Sequence, residues 1–291
     1  IPGKAQDMRA WFLTMQYWLG GSDDNIEQMI RFLISRYTSE TRWRGAEAAL
    51  PGGYPEVGLY HPDLTDRIVT DPAKLPQPES PRGTVGLLMM RSYILSGDTA
   101  HYDAVIRALE ADGLRVLPAF AGGLDGRPAV ESYFHDRIDT LVSLTGFSLV
   151  GGPAYNDSDA AVGVLSRLDV PYVAAHPLEF QTLGQWAGSS QGLGPVETTM
   201  LVALPEIDGA TNPTVFAGRH SDTGCDGCRR ACRPTAEARA MAPCPERIVA
   251  LTDKVGRLVD LRRSKVAERK AAIVLYGFPP NAGAIGTAAY L

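Results

Sequence analysis

The chain has 291 residues, of which 45% are hydrophobic and 21% charged, with a formal net charge of -5. This length allows two domains or one large domain with appendages, and the composition is that of an ordinary globular protein. The acidic balance argues against general nucleic-acid binding, and no apolar run approaches the roughly 20 residues that a membrane span needs.

Residues 1–80 are predicted to form a helical segment followed by a linker. Apolar residues at helical spacing predict two helices, the first with Trp11 and Trp18 in the core and the second capped by Ser22 or Asp23. The residues after these helices are rich in Pro, Gly and Asp, which predicts a linker or an extended crossing segment.

Residues 81–217 are predicted to form the α/β core domain. Apolar runs without polar alternation are typical of strands covered on both faces, and they alternate here with segments of helical spacing. The strands are predicted at 85–90, 116–120, 141–145, 172–175 and 213–217, with helices around 98–112, 130–136 and 159–168 and another from 195. Asp98 is expected to cap the first of these helices, and Gly113 to end it. Since parallel neighbours need helical crossovers, this order predicts a doubly wound, mainly parallel sheet.

The rest of the chain is predicted to hold a cysteine-rich insertion at 218–247, then a helix and the start of a second α/β unit at 248–291. Apolar spacing places that helix at 246–270, and basic residues crowd its end, where they complement the helix dipole. An apolar run at 272–276 predicts the first strand of the second unit.

All four cysteines lie close together, at Cys225, Cys228, Cys232 and Cys244. This clustering, with no signal-peptide pattern at the first residues, favours a reducing cytoplasmic compartment and a metal or redox role. The compact first three cysteines suit three corners of a [4Fe-4S] cluster, with Cys244 as the fourth ligand. Zinc is the alternative, although a second C-x2-C knuckle is missing, and thiols without a metal stay open as a third interpretation.

In open α/β sheets, ligands bind beyond the carboxyl ends of the strands. Arg91, Phe147 and His176 lie at those predicted ends together with several glycine pairs, and His101 opens the first core helix. The glycines allow close approach to a planar or bulky ligand, although tight turns alone would also explain them. Either histidine could ligate a metal or transfer a proton near neutral pH, or be satisfied by local hydrogen bonds.

Nucleotide-binding signatures are missing from the expected places. The first predicted core strand is not followed by a G-x-G-x-x-G turn, and the sequence contains no G-x-x-x-x-G-K-[ST] motif. We therefore expect any ATP hydrolysis in the system to occur elsewhere.

Four long motifs resemble a known family. They are RSYILSGDTAHY at 91–102, FAGGLD at 120–125, LTGFSLVGGP at 144–153 and FPPNAGAIGTAAYL at 278–291. In this order they are similar to the large porphyrin-binding subunit of magnesium chelatase and, more distantly, to the cobaltochelatase large subunit. The resemblance runs from about residue 2 to residue 291 except in the cysteine segment. Family members are several times longer, so the chain is interpreted as an internal piece.

This resemblance implies protoporphyrin IX as the substrate and Mg2+ as the ion inserted, with ATP hydrolysed by two partner subunits. The product would enter chlorophyll or bacteriochlorophyll synthesis, which makes the downstream methyltransferase a further candidate partner. The main catalytic carboxylate is expected outside this piece, which alone should be inactive. We expect Arg91 to bind a porphyrin carboxylate, His101 and His176 to make polar contacts, and Phe147 to pack against the ring.

Two other functions remain open at this point. The cysteine segment is absent from many relatives, and its presence implies an oxygen-sensing, bacteriochlorophyll-making lineage. The chain could therefore be an iron–sulfur switch on an α/β scaffold, or a module that only docks the ATPase subunits.

Overall fold

A computed structural model describes residues 5–38, 47–152, 154–220, 225 and 240–272. Its strands are β1 (Val57–Tyr60), β2 (Ile68–Val69), β3 (Thr84–Met90), β4 (Arg115–Ala121), β5 (Thr140–Ser143), β6 (Gly151–Gly152), β7 (Tyr155–Asn156), β8 (Tyr172–Thr182), β9 (Thr211–Arg219) and β10 (Met241–Pro243). Eight of them form one sheet in the order β10-β9-β8-β5-β3-β4-β1-β2, while β6 and β7 form a separate hairpin.

Helices pack against both faces of the sheet. They are α1 (Ala5–Gly20), α2 (Asp23–Tyr37), α3 (Arg91–Leu95), α4 (Ala100–Ala111), α5 (Arg127–Tyr133), α6 (Ser158–Leu168), α7 (Leu183–Gly188), α8 (Pro195–Glu197), α9 (Leu204–Ile207) and α10 (Pro245–Arg263). A π-helical segment, Thr198–Ala203, joins α8 to α9, so one helix with a widened middle turn runs from residue 195 to residue 207.

The five central strands are parallel, as the sequence predicts. β3 pairs with β4 on one side and with β5 on the other, and the sheet continues through β8 to β9. The chain thus moves outward from β3 to β4, then returns to the other side of β3 and proceeds in the opposite direction. This reversal between β3 and β5 is the topological switch point, where doubly wound folds bind their ligands.

Burial on both faces explains why the β3 sequence shows no polar alternation. Val85, Leu87 and Met89 belong to a core shared with α4 and α10, whereas Leu88 belongs to a second core shared with α5 and α6. Apolar side chains are therefore favoured at consecutive positions, which is the pattern of a strand covered on both sides.

The sheet extends beyond both ends of the predicted core range 81–217. The segment predicted as a linker supplies β1 and β2, with β1 antiparallel to β4, and the cysteine-rich region supplies β10. The β1 run is too short and glycine-interrupted for periodicity to identify it. Position 58 in this strand is a glycine because an added Cβ would stand 2.7 Å from the Phe120 ring. The division of the chain into four segments stays a prediction.

The buried side of α1 differs from the predicted one. Trp11 and Trp18 are 49% and 61% exposed, whereas Ala10 and Tyr17 are buried. The helix itself was predicted correctly, but its buried stripe is offset by one residue, which is a rotation of about 100° around the axis. The prediction for α2 is confirmed at its cap, where the Ser22 hydroxyl accepts a hydrogen bond from the Asn25 N–H at 3.1 Å.

Asp98 does not cap the helix after it, so that prediction was wrong. The cap position belongs to Thr99, and the Asp98 carboxylate instead accepts hydrogen bonds from the Met241 N–H at 3.0 and 3.2 Å, which ties β10 to the α3–α4 turn. The end of α4 is as predicted, because Gly113 follows it with φ +76°. Such a left-handed conformation is accessible to glycine at little cost.

Several predicted features lie outside the described residues: the strand at 272–276 beyond its first residue, the motif at 278–291, and Cys228 and Cys232. Within the described part, α10 ends at Arg263 rather than at residue 270. No helix in the described ranges is long and apolar enough to cross a membrane.

Candidate functional site: a divided crevice at the switch point

Two hollows open at the carboxyl ends of the parallel strands. The first lies between the ends of β3 and β4 and the segment 145–151, which we call the wall segment, and its space of about 300 Å3 includes the part open to solvent. Its apolar lining includes Leu88, Met89, Leu124, Phe147 and Leu149. This position is the switch point itself, since β3 and the strand before the wall segment, β5, are the pair at which the strand order reverses.

The second hollow lies on the β8 side of the wall segment, and its space of about 330 Å3 likewise includes the part open to solvent. It is lined by Pro177, Glu179 and Phe180 from β8 and by Met200 and Leu201 from the π-helical segment. Thr145 and Phe147 border both hollows. The half-buried Phe147 ring therefore divides one apolar crevice into two parts.

The wall segment is held by polar contacts to its neighbours. Gly146, three residues after β5 ends at Ser143, has φ +73°, a conformation that favours glycine. The Thr145 hydroxyl then hydrogen-bonds the Ser143 hydroxyl at 2.9 Å and accepts from the Phe147 N–H at 3.4 Å. Farther along, the Leu149 carbonyl accepts from the Gly126 N–H at 2.8 Å. The position of Phe147 is thus defined on both sides by the loops after β4 and β5.

A buried carboxylate holds the wall segment through hydrogen bonds. Asp208 follows α9 and accepts hydrogen bonds from the Ser148 hydroxyl and from the Leu149 N–H, the latter at 2.9 Å. Burial raises the pKa of this carboxyl, and the two hydrogen bonds partly oppose that shift. Ser148 and Leu149 line the first hollow, whereas Asp208 lines neither.

The carboxylates at the crevice are engaged by partners. Asp125, in the first hollow, forms a bidentate pair with Arg127, whose hydrogen bonds hold the pKa of Asp125 below its usual range. Glu179, in the second hollow, accepts from the Tyr93 hydroxyl and lies 3.7 Å from the Arg219 guanidinium. Burial and this contact with Glu179 raise the pKa of Tyr93. Asp125 therefore stays ionised near neutral pH and is a poor proton acceptor there.

Phe147 is the one residue of the four predicted to bind substrate that lines the hollows. Arg91 begins α3 at the end of β3, but its guanidinium donates to the carbonyls of Pro55 at 2.9 Å and Tyr54 at 3.2 Å. It also lies 3.5 Å from the Glu56 carboxylate. These contacts attach the loop before β1 to the carboxyl end of β3. A substrate role for Arg91 stays a prediction.

His101 and His176 are almost completely buried, at 0% and 1% exposure, and line neither hollow. His176 lies in the middle of β8, because this strand continues to Thr182 instead of ending near residue 175 as predicted. Burial lowers the pKa of His101 to about 3 and that of His176 to about 4. Both rings are therefore neutral at physiological pH in this fold, and their substrate contacts stay predictions.

Replacing Arg91 with lysine should lower the free energy of unfolding by about 1 to 2 kcal/mol. A lysine cannot reproduce the fork of donors that reaches two carbonyls, so at least one buried acceptor loses its bond. Denaturant unfolding of the variant measures this loss. Unchanged stability with weakened porphyrin binding would contradict a structural role for the hydrogen bonds of Arg91 to the two carbonyls, and would favour the substrate role predicted from the sequence.

Sequence reasoning missed Thr145, Ser148 and Asp208. Ser148 and Asp208 lie 60 positions apart, so no local spacing connects them. The only local signal is an acidic residue directly before a glycine at the end of a mostly apolar helix, which ordinary helix termination explains equally well.

The cysteine prediction is tested only in part by the described residues. Cys244 belongs to a buried apolar cluster that includes Leu178, Leu201 and Val215, and Cys225 packs against the same cluster. Cys228 and Cys232 lie outside the described residues. In the described part of the chain, no group of three or more His, Cys, Asp or Glu side chains could hold a metal ion. The four-thiolate site stays a prediction.

The fold and the crevice define a doubly wound α/β module with an apolar crevice at its switch point. The family model described as CobN/Magnesium Chelatase matches residues 15–291, and the chain belongs to this family. The family resemblance inferred from the four motifs is therefore confirmed.

Individual relatives agree with this assignment. The chain is 73% identical to the magnesium-chelatase H protein of Rhodobacter capsulatus, over 100% of the chain and 25% of that protein. It is 39% identical to the chloroplastic magnesium-chelatase protein ChlH of Oryza sativa subsp. japonica, over 99% of the chain and 21% of the relative. The chain thus spans about a quarter of the length of these curated relatives.

A solved structure shares the fold. The catalytic subunit of cobaltochelatase from Mycobacterium tuberculosis superposes with a TM-score of 0.64 and 22% sequence identity, over 92% of this chain and 21% of that one. At this identity the likeness supports the fold alone, and it agrees with the mainly parallel α/β prediction.

Proposed function

We propose that this chain is a section of the porphyrin-binding subunit of a magnesium chelatase, which inserts Mg2+ into protoporphyrin IX for chlorophyll or bacteriochlorophyll synthesis. The observation that carries the proposal is the apolar crevice at the switch point, divided by Phe147. It occurs in a chain 73% identical to a magnesium-chelatase H protein. A crevice of apolar walls with a central aromatic ring suits the face or edge of a flat macrocycle.

The chemistry of insertion determines what the remainder of the complex must add. Two pyrrole protons have to leave, and Mg2+ has to shed water that it gives up reluctantly. The proton acceptor is expected elsewhere in the polypeptide, because Asp125 in the first hollow is engaged by Arg127. ATP hydrolysis by two partner subunits would supply the free energy, since this sequence carries no P-loop motif.

Replacing Phe147 with alanine should weaken protoporphyrin IX binding about five- to thirtyfold, because truncating a central aromatic contact typically costs about 1 to 2 kcal/mol. Fluorescence quenching on titration measures this in a full-length polypeptide of the family carrying the present sequence. The matched control is Phe12→Ala on α1, where the ring is 56% exposed and lines neither hollow. Equal affinity of the Phe147 variant and the wild type would contradict the proposed site.

A metal site at the four cysteines is part of the same proposal, with a [4Fe-4S] cluster first and zinc as the alternative. Its support is that the thiols of Cys225 and Cys244 share one apolar neighbourhood, so two distant parts of the segment converge. Metal and acid-labile sulfide analysis of protein purified without oxygen distinguishes the two metals. Protein with four reduced thiols and neither metal would contradict both.

Three further assignments complete the proposal: the two ATPase subunits as partners, the downstream methyltransferase as acceptor of the product, and a cytoplasmic location. The family resemblance supports the ATPase subunits, direct transfer of a poorly soluble metallated porphyrin supports the methyltransferase, and the clustered cysteines support a reducing cytoplasmic compartment. Co-purification of the full-length polypeptide with each partner, with and without porphyrin, tests the two kinds of partner.

A further inference from the structure

The wall segment has an unusual attachment to a distant helix. It follows β5 as irregular backbone, with Gly146 at φ +73°, and its residues Ser148 and Leu149 contact the buried carboxylate of Asp208. Asp208 is 2% exposed. A carboxylate accepts hydrogen bonds without donating any, so it matches the two donors that the wall segment directs at it.

The same helix contributes to the other side of the crevice. Asp208 directly follows the helix over residues 195–207, and the π-helical turn of that helix supplies Met200 and Leu201 to the second hollow. One rigid element thus lines the second hollow and anchors the wall of the first. Phe147, which divides the hollows, is adjacent in sequence to Ser148, the residue bound by this carboxylate.

We infer that Asp208 is a positioning residue of the crevice: it locks the helix over 195–207 to the wall segment and thereby sets the position of Phe147 between the two hollows. This inference rests on the proposed function for its ligand, protoporphyrin IX, and on the contacts above for its mechanism. Asp208 touches no ligand in this account, because it lines neither hollow. Its effect passes through Ser148 and the Leu149 amide.

Three variants separate positioning from general stability. One oxygen of Asp208, Oδ2, accepts both hydrogen bonds, so Asp208→Ala removes the acceptor of both, whereas Asp208→Asn keeps one oxygen that can accept from both donors. The control is Asp139→Ala, at the amino ends of β3 and β5, on the side of the sheet away from the crevice. Asp139 accepts from the Thr84 N–H at 2.8 Å and from Arg263 at 3.0 Å. Both alanine variants lose a supporting carboxylate, but only one of these carboxylates contacts the crevice wall.

The first readout is the dissociation constant for protoporphyrin IX, measured with the full-length polypeptide under conditions where each variant is folded. Asp208→Ala should weaken binding at least about tenfold, Asp208→Asn should remain within about twofold of the wild type, and Asp139→Ala should bind normally despite its lower stability. Affinity losses that follow stability in all three variants would overturn the inference.

The second readout needs no porphyrin, so it distinguishes failure of this inference from failure of the proposed function. Hydrogen exchange of the Leu149 amide should accelerate at least about tenfold in Asp208→Ala and stay near the wild-type rate in Asp208→Asn. If Asp208→Ala does not fold, Ser148→Ala takes its place. This variant removes one of the two hydrogen bonds to Asp208, so exchange in the same segment should accelerate, but by a smaller factor than that expected for Asp208→Ala. Unchanged exchange at Leu149, or acceleration spread evenly over the sheet, would overturn the inference.

Discussion

Replacing Gly151 with alanine should lower the free energy of unfolding by about 3 kcal/mol and disrupt one side of the first hollow. Gly151 has φ +117°, a conformation that side chains rarely allow, and a Cβ there would overlap the Tyr155 carbonyl oxygen and stand 2.9 Å from the Asn156 Cα. Both obstacles are backbone atoms that cannot rotate away, so strain and overpacking add together. Denaturant unfolding measures the loss.

The matched control is Gly163→Ala in α6. An added Cβ at Gly163 meets nothing within 4 Å, and the residue lies inside a regular helix. Because glycine costs a helix interior about 0.5 to 1 kcal/mol relative to alanine, this variant should be more stable by that amount. Equal effects of the two substitutions would show that the β6–β7 hairpin is not built as described.

Acidification should destabilise the fold as the pH falls below about 6.5, because His101 and His176 are buried as neutral rings. Their folded-state pKa values are lowered by burial to about 3 and about 4. The unfolded chain therefore binds more protons below pH 6.5, and stability is lost as the pH falls toward the folded-state values. For His101 alone the loss amounts to on the order of 5 kcal/mol over the whole window from pH 6.5 to pH 3, at about 1.4 kcal/mol per pKa unit.

His101→Phe should remove part of this pH dependence. The His101 ring lies among Tyr93, Tyr102 and Phe216, with ring centroids 5.1, 3.9 and 6.0 Å away, so another aromatic ring suits the site. The measurement is the denaturation midpoint of wild type and variant between pH 7 and pH 4. Parallel pH profiles for the two proteins would contradict the buried neutral histidine.

Local patterns predicted the central elements well for a physical reason. A strand buried on both faces needs consecutive apolar residues, and β3, β4 and β8 have them, so their existence and parallel pairing follow from sequence. The outer strands β1, β2 and β10 could not be found this way, because each is short and depends on a neighbour. β10 forms where Asp98, 143 positions earlier, accepts from the Met241 amide.

The crevice was predictable only in outline. The rule for open sheets points to the carboxyl ends of the strands, where the two hollows lie, and the motif at 144–153 contains Phe147, which borders both of them. It does not reveal that Arg91 binds backbone carbonyls, that β8 carries His176 into the core, or that Asp208 supports the wall. These facts depend on which distant groups meet after folding, and residue spacing along the chain contains no information about that.

Hydrogen exchange of the full-length polypeptide, compared with and without protoporphyrin IX, tests most directly whether the switch-point crevice holds the macrocycle. Binding there should slow exchange in the wall segment and in residues 177–182, while residues 110–115 at the opposite edge of the sheet keep their rates. If bound porphyrin protected only residues 110–115, or protected neither the wall segment nor residues 177–182, the assignment would be contradicted.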